Sequence, residues 1–290
     1  ATRYAGDYEF DHGAQFFTAH TPEFREFLQP LLTDNVVASW TAQFAQIERD
    51  EVTSLRPWND DAPHYVGTPG MNAVGKYLAR DLDIVTETPI VRIERPDNGW
   101  SLTDDKEQAF DRFDWVVLTA PAPQTAALGA AYPDLATLSG KHSMLGCYAM
   151  MLGFTTPVEL PWQAALVRDA DISWVSVNSS KPGRKDPFTL LVHSTNAWAN
   201  AHIDDDLESV REQMLVEASK ICRKDLGTAD HCSVHRWRYA NIARQSGPEF
   251  YVDDDSQLAA CGDWFVRGRV EAAFTSANML AQQLVEKMTG

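Results

Sequence analysis

The run Asp114-Trp-Val-Val-Leu-Thr-Ala-Pro-Ala-Pro-Gln124 is nearly all apolar and ends in two prolines. A strand without polar alternation buries both faces, so it needs further layers of structure around it, and its C-terminal end marks the edge of a ligand crevice. A chain of 290 residues can supply those layers. At roughly 150 residues per domain it holds about two. Its 44% hydrophobic and 23% charged residues exclude a disordered or fibrous chain.

Periodicity places the other elements. Thr21-Pro22-Glu23 is expected to open a helix through Phe24, Phe27, Leu28, Leu31 and Leu32, with threonine as N-cap and proline in the first turn. Strands are expected between Trp40 and Val52, followed by a turn-rich passage at 56–63 and a short amphipathic helix through Met71, Val74, Tyr77, Leu78 and Leu82. Residues 84–86, 90–93, 100–103 and 115–119 read as a meander of short strands, with Asp97-Asn98-Gly99 as a tight turn. The runs 144–154, 172–177 and 188–193 predict antiparallel strands, because no crossover helix separates the last two. A helix through Leu207, Val210, Met214, Leu215, Ala218, Ile221 and Cys222 follows Asp204–Asp206, and 234–239 is a strand. The chain closes with a strand at 258–261, the pair Gly262-Asp263, Gly268, and a helix reaching Met288.

Twenty-five Lys+Arg against 41 Asp+Glu give a net charge of −16, a field that repels phosphate backbones and anionic lipid. No nucleic-acid or membrane partner is expected, and no run approaches the about 18 apolar residues of a transmembrane helix. Cys147, Cys222, Cys232 and Cys261 lack CxxC spacing and suit a reducing, cytoplasmic setting. Asp230-His231-Cys232 places neighbouring side chains on opposite sides of a strand, and the triple aspartate suits a helix N-terminus, so no metal site is expected.

GxSxG, HExxH, Walker A and GxGxxG are all absent. The closing strand–Gly262-Asp263–loop–Gly268–helix unit has its own chemistry: glycine admits a ligand to the backbone, aspartate accepts bonds from sugar-type hydroxyls, and the helix start offers free N–H groups.

Six blocks then stand in a telling order: Phe10-Asp-His-Gly-Ala-Gln-Phe-Phe-Thr-Ala19, Val66-Gly-Thr-Pro-Gly-Met71, Leu118-Thr-Ala-Pro-Ala-Pro-Gln124, Asn178-Ser-Ser-Lys-Pro-Gly183, His235-Arg-Trp-Arg-Tyr-Ala240, and Cys261-Gly-Asp-Trp with Gly268-Arg-Val-Glu-Ala-Ala-Phe274. From end to end they resemble bacterial renalase-like FAD-dependent oxidoreductases, relatives of the amine oxidases. The resemblance implies an α/β (α+β) architecture: an FAD/NAD(P)-binding Rossmann-like domain at 1–18, 64–125 and 256–290, interleaved with an antiparallel-sheet substrate domain at 19–63 and 126–255. Members of that family begin with a βαβ unit carrying GxGxxG. This sequence opens on residues resembling those just beyond it, so FAD binding by this chain alone is expected to lack its pyrophosphate anchor.

The resemblance assigns Gly262 and Asp263 to the ribityl hydroxyls of FAD, the Val270 N–H to the flavin pyrimidine carbonyl, and the Val91 backbone to adenine. Ala120 and Pro121 would line the nucleotide crevice, and Ala14 and Gln15 would pass beside the isoalloxazine. On the substrate side stand Asn178, Lys181, Trp198 and His235: Trp198 as a stacking face, Asn178 as an amide partner, with Lys181, Arg184 or Arg238 marking a basic entrance. His193, on an apolar strand, reads as a satisfied core residue. No catalytic side chain is needed, because the flavin carries the chemistry. The implied activity is oxidation of dihydronicotinamide isomers of NAD(P), a dinucleotide-type substrate, with oxygen as acceptor and hydrogen peroxide as product. Two other readings stand beside it: a flavin amine oxidase, and a non-catalytic remnant or binding module.

Overall fold

The computed structural model describes residues 1–58, 62–185 and 187–289, so part of the expected turn passage at 56–63 lies outside the described residues. In chain order the elements are β1 (Arg3–Ala5), β2 (Tyr8–Phe10), α1 (Pro22–Thr33), β3 (Val37–Ser39), β4 (Gln43–Glu48), β5 (Glu51–Pro57), β6 (Tyr65–Gly67) and α2 (Asn72–Ala79). Then come β7 (Ile90–Glu94), β8 (Trp100–Asp104), β9 (Ala109–Phe113), β10 (Val116–Leu118), α3 (Ala122–Leu128) and α4 (Pro133–Gly140). The chain continues with β11 (Leu145–Phe154), β12 (Ala164–Arg168), β13 (Ile172–Val177), β14 (Phe188–Ser194), α5 (Asn196–Ala201), α6 (Leu207–Cys222) and β15 (His231–Asn241). It ends with β16 (Tyr251–Asp253), β17 (Leu258–Ala260) and α7 (Val270–Thr289).

Packing divides these into two discontinuous units, Ala1–Arg80 with Leu145–Ala240, and Asp81–Met144 with Asn241–Gly290. The N-terminal loop goes with the large sheet because it is bonded to it: the Ser176 hydroxyl donates to Gln15 Oε1 at 3.0 Å, and Met71 N–H donates to Asp11 Oδ1 at 2.9 Å.

The first unit is built on a seven-stranded sheet of order β15-β11-β14-β13-β12-β4-β5. The pairs β11/β14, β13/β14 and β12/β13 are antiparallel and β12/β4 is parallel. Tyr148, Met150, Leu152, Val175, Leu190 and Val192 form one buried face against Val210, Met214, Ala218 and Ile221 of α6. The opposite face carries Ala149, Met151, Leu191, His193, Trp174 and Ser176 in shared register, and Phe10 packs there on Met151 and Leu191. Central strands covered on both faces explain the unbroken apolar run of β11. The Asp206 carboxylate caps α6 by accepting from the N–H groups of Glu208 and Ser209 at 3.0 and 3.1 Å, a bond set that stabilises a helix by about 1 kcal/mol. Asp204 pairs with Arg238 and Asp205 with His202, which accounts for the whole aspartate run.

The second unit holds the three-stranded sheet β10-β17-β16 and the meander β7-β8-β9. β10 runs parallel to β17 with Val116 opposite Leu258 and Leu118 opposite Ala260. Leu258 and Ala260 pack with Trp100, Leu135, Trp264 and Phe265, and Ala259 and Cys261 pack with Leu280 of α7. β17 is thus buried on both faces. β10 corrects the expectation of full burial: it is the edge strand, and Val117 is 41% exposed. The predicted strand at 84–86 does not form, and Ile84 and Val85 are exposed. β-Branched residues favour extension, but a strand persists only when another strand pairs with it, and among the described residues none pairs with this segment. The helix α2 forms at the expected place yet ends at Ala79, and Leu78 and Leu82 stand exposed. Among the described residues no helix is long and apolar enough to cross a membrane.

Candidate functional site

In the second unit the parallel pairing sets the ends of β10 and β17 side by side. Cys261 N–H donates to the Leu118 carbonyl at 3.1 Å, and the Trp264 indole N–H donates to the Ala120 carbonyl at 3.0 Å. Gly262-Asp263 and Ala120-Pro121, far apart in sequence, are therefore neighbours. Gly262 is tied to α7 through its N–H, which donates to Ser276 Oγ at 3.0 Å, and a Cβ at Gly262 would meet the Trp264 ring at 3.0 Å. Burial raises the Asp263 carboxyl above its usual range, and only backbone N–H groups of Trp264 and Asp263 itself oppose this. Among the described residues no cation pairs with it. Such a carboxylate is suited to hydroxyl donors from a ligand. Val270 is the first residue of α7, where N–H groups lack intrahelical acceptors. Val91 falls within the bulge between Ile90 and Arg92, so its backbone stands out of the β7–β8 register.

In the first unit the loop after β2 is braced from beneath. Asp11 is fully buried and accepts from Thr2 Oγ1 at 2.8 Å, from Met71 N–H, and from the Arg184 guanidinium, with Lys181 Nζ at 3.8 Å. Burial alone would raise its pKa; the Lys181 and Arg184 cations and the Met71 N–H reverse that and hold it below the usual carboxylate range. Gln15 Nε2 donates to the carbonyls of Asp11 and Gly13 at 2.6 and 2.9 Å, and Gln15 Oε1 accepts from Ser176 and from Lys181 Nζ at 3.0 Å each. The loop is thereby fastened to β13 and the turn after it, with Ala14 left exposed at its crest.

The expected site residues stand in different surroundings. Asn178 is fully buried with both ends of its amide engaged: Nδ2 donates to the Glu9 carbonyl, and Oδ1 accepts from Asp11 N–H and Lys181 Nζ. Its amide braces the loop. Lys181 and Arg184 lie beneath the loop with Asp11 and mark no entrance. The Gln15 side chain serves the loop's shape. Trp198 stands on α5, edge-on to Tyr148 at 5.8 Å, on the face that carries α6; there it lines a separate cavity of about 320 Å³ with Asp171, Ile172, Glu212 and Met214. It does not join the other predicted substrate residues.

His235 does have functional company. Alternation along β15 sets His231, His235 and Trp237 on the side of β2 and its following loop. The His12 ring stacks on Trp237 at 5.1 Å and 27°, and His235 meets both edge-on, at 4.9 Å from His12 and 4.4 Å from Trp237. The Trp237 indole N–H donates to the His12 carbonyl at 2.8 Å. Arg3 Nη2 lies 3.2 Å from His235 Nδ1. A guanidinium only donates, so that nitrogen accepts and His235 is neutral with its proton on Nε2. Burial lowers His12 to about 4, helped by His235 and Arg3. Burial likewise lowers His193 to about 4, against a hydrogen bond to the His12 backbone. Contrary to expectation, His193 is not a satisfied core residue: its Nε2 and His12 Nδ1 are both sealed from solvent without a hydrogen-bond partner among the described residues.

Sequence reasoning gave His12 and Trp237 no role of their own and read His193 as core. The first lies inside the block Asp-His-Gly-Ala-Gln, and Trp237 is two residues from His235 on a strand, so period-2 alternation was the available signal. His193 is brought in by register opposite Ala149, which no local pattern encodes. The cluster Asp230-His231-Cys232 splits as expected: Asp230 binds Thr155 while Cys232 faces Arg211. Among the described residues no group of His, Cys, Asp and Glu is placed to hold a metal ion.

Residues 59–285 match the family described as flavin containing amine oxidoreductase. Renalase from Mus musculus is 20% identical over 248 residues, covering 80% of this chain and 69% of that protein. A solved structure from Exiguobacterium sp. 255-15, assigned as a protoporphyrinogen oxidase, superposes with TM-score 0.70 at 12% identity, over 99% of this chain and 90% of the other. Cyclohexylamine oxidase from Brevibacterium oxydans IH-35A superposes with TM-score 0.57 at 14% identity, over 78% of this chain and 55% of the other.

Proposed function

Because the chain belongs to the flavin containing amine oxidoreductase family and is an FAD-dependent oxidoreductase, we propose that it is an oxidase of the renalase type. It takes hydride from dihydronicotinamide isomers of NAD(P) and passes the electrons to oxygen, giving hydrogen peroxide and the usable oxidised nucleotide. The similarity to a renalase supports this reading. The observation that carries it is the electrical character of the histidine wall. His12 and His193 are uncharged at neutral pH, and the neighbouring side-chain cations whose fields reach them are Arg3 and Lys181. Loss of hydride from a dihydropyridine ring needs no general base, so a neutral wall suffices. The Arg3 guanidinium beside His235, inside a chain of net charge −16, favours an anionic dinucleotide over an alkylammonium.

FAD supplies two-electron acceptance at its flavin ring. The chain's own contribution is holding and orienting. In the second unit Asp263 would accept from the ribityl hydroxyls and the Val91 backbone would meet adenine; in the first, the bonds of Gln15 and Asp11 hold the Gly13-Ala14 loop in place. Mixed anaerobically with the FAD-loaded protein, dihydronicotinamide isomers are expected to bleach the flavin absorbance much faster than primary amines do. Bleaching by amines alone overturns the substrate reading. A protein that stays colourless when titrated with FAD overturns the oxidase itself.

Asp263→Ala is expected to weaken FAD affinity by about 1.5–3 kcal/mol, the worth of a hydrogen bond to a charged group, measured by flavin titration. The FAD-free variant should unfold at no lower temperature than its parent, because the lost carboxylate was half-buried without a cationic partner. Equal FAD affinity in the two proteins removes Asp263 from the cofactor site.

A further inference from the structure

Trp198 lines a cavity on the face of the seven-stranded sheet opposite the Gly13-Ala14 loop. At about 320 Å³ it stands at the small end of ligand sites, which run from roughly 300 to 1,000 Å³. Its buried lining is apolar, Ile172 and Met214. The Trp198 ring is fixed from several directions. Tyr148 meets it edge-on at 5.8 Å, and His202 lies against it at 4.5 Å and 34°. Thr195 Oγ1 accepts from Trp198 N–H at 3.2 Å, while Thr195 N–H donates to the Asp171 carbonyl at 2.7 Å, so the start of α5 and the approach to β13 hold one another. The amides of Asn196 and Asn200 both bind the Gly146 backbone, at 2.7 Å each, which ties α5 to β11. A ligand seated here meets a ring that is already in place, and none of its binding energy goes into ordering that ring.

Charge decides what such a ring attracts. Asp171, Glu212 and Glu217 bring three carboxylates to the cavity, and Lys220 brings one ammonium. Lys220 Nζ lies 3.2 Å from Glu217 Oε2, so those two charges offset each other. Asp171 and Glu212 have no cationic partner among the described residues. No group of acidic side chains among the described residues is gathered closely enough to hold a metal ion, so the complement is larger than a bare ion. We propose that this cavity binds an organic ammonium of about one ring in size, its carbon body against Trp198 and Met214 and its charge toward Asp171 and Glu212. The electron-rich face of an indole and the unpaired carboxylates both favour positive charge, and the apolar lining takes up the carbon skeleton. A neutral ring gains the stacking without the attraction, and an anion meets the repulsion of the carboxylates. The site stands apart from the histidine wall, on the other face of the sheet, and does not depend on the oxidase reading.

Benzyltrimethylammonium, benzyl alcohol and benzoate share a ring and differ in charge, which makes them the probes. Titrated into ¹⁵N-labelled protein, benzyltrimethylammonium is expected to shift the Trp198 indole resonance, assigned from triple-resonance spectra of the unmutated chain. It should bind about tenfold tighter than benzyl alcohol, and benzoate should leave that resonance unmoved. Replacing both carboxylates, Asp171→Asn with Glu212→Gln, keeps side-chain shape at two exposed positions and should remove the preference for the cation while leaving the affinity for benzyl alcohol unchanged. A Trp198 resonance that does not move with the cation, an affinity for benzyl alcohol or benzoate equal to that for the cation, or a preference that survives the double substitution each overturns the site. The titration is expected to give the same result with and without FAD, so its outcome and that of flavin bleaching are read separately.

Discussion

Asp11→Asn is expected to destabilise the protein by about 3–5 kcal/mol, the cost of stripping the partner from buried charge. The substitution preserves shape and removes only the negative charge that two buried cations share, Arg184 in direct contact and Lys181 at 3.8 Å. Thr2 and Met71 would then donate to a neutral amide oxygen, and the loop carrying Gly13 and Ala14 would lose its main tie to the turn after β13. Urea unfolding at neutral pH measures this directly, and a loss below about 1 kcal/mol contradicts it. The acid limb supplies a second check. Because the folded-state pKa of Asp11 lies below the ordinary 3.8 of an aspartate, its stabilisation is present above that value and is lost as pH falls through the lowered one. That loss should be absent from the Asn variant.

Lys181→Met should change the slope of stability against pH on the alkaline side. Burial, assisted by Arg184 and opposed by Asp11, lowers the Lys181 pKa from 10.5 to about 7. Between those values the unfolded chain binds the proton and the folded chain does not, so stability rises with pH across that window, by at most about 1.4 kcal/mol per pH unit. Below pH 7 both states are protonated and the cost of the buried ammonium is fully present. Above 10.5 both are neutral and it is gone. Arg184 remains as partner to Asp11 in the variant, so the fold keeps its ion pair. Subtracting the variant's urea-unfolding free energies from the parent's at pH 7, 8 and 9 isolates the lysine, and parallel curves for the two proteins rule out a titrating Lys181.

Much of the fold was legible because it rests on local chemistry. Thr21 caps α1 by accepting from Phe24 N–H at 3.3 Å, as the Thr-Pro-Glu signature requires. Asp206 caps α6, and the apolar runs at 145–154, 172–177 and 188–193 became the antiparallel strands β11, β13 and β14, because hydrophobic period and turn residues act within a few positions. Ala120-Pro121 and Gly262-Asp263 were also readable as short motifs at strand ends.

Only the tertiary structure decided which polar side chains are free to meet a ligand. Asn178, Lys181 and Gln15 have the right chemistry for binding, yet partners more than 160 residues distant in sequence for Asn178–Asp11, Gln15–Ser176 and Gln15–Lys181 consume it. Trp198 stands on the face of the sheet that carries α6. His193 looked like core and proved unsatisfied, because register set it on the face toward Trp174 and Ala149 without a partner for its buried Nε2. Hydrophobicity and capping are properties of a residue and its near neighbours, and so the sequence determines them. Hydrogen-bond satisfaction is a property of a place in the folded chain, where each buried donor or acceptor is matched or left over by whatever non-local pairing brings to it.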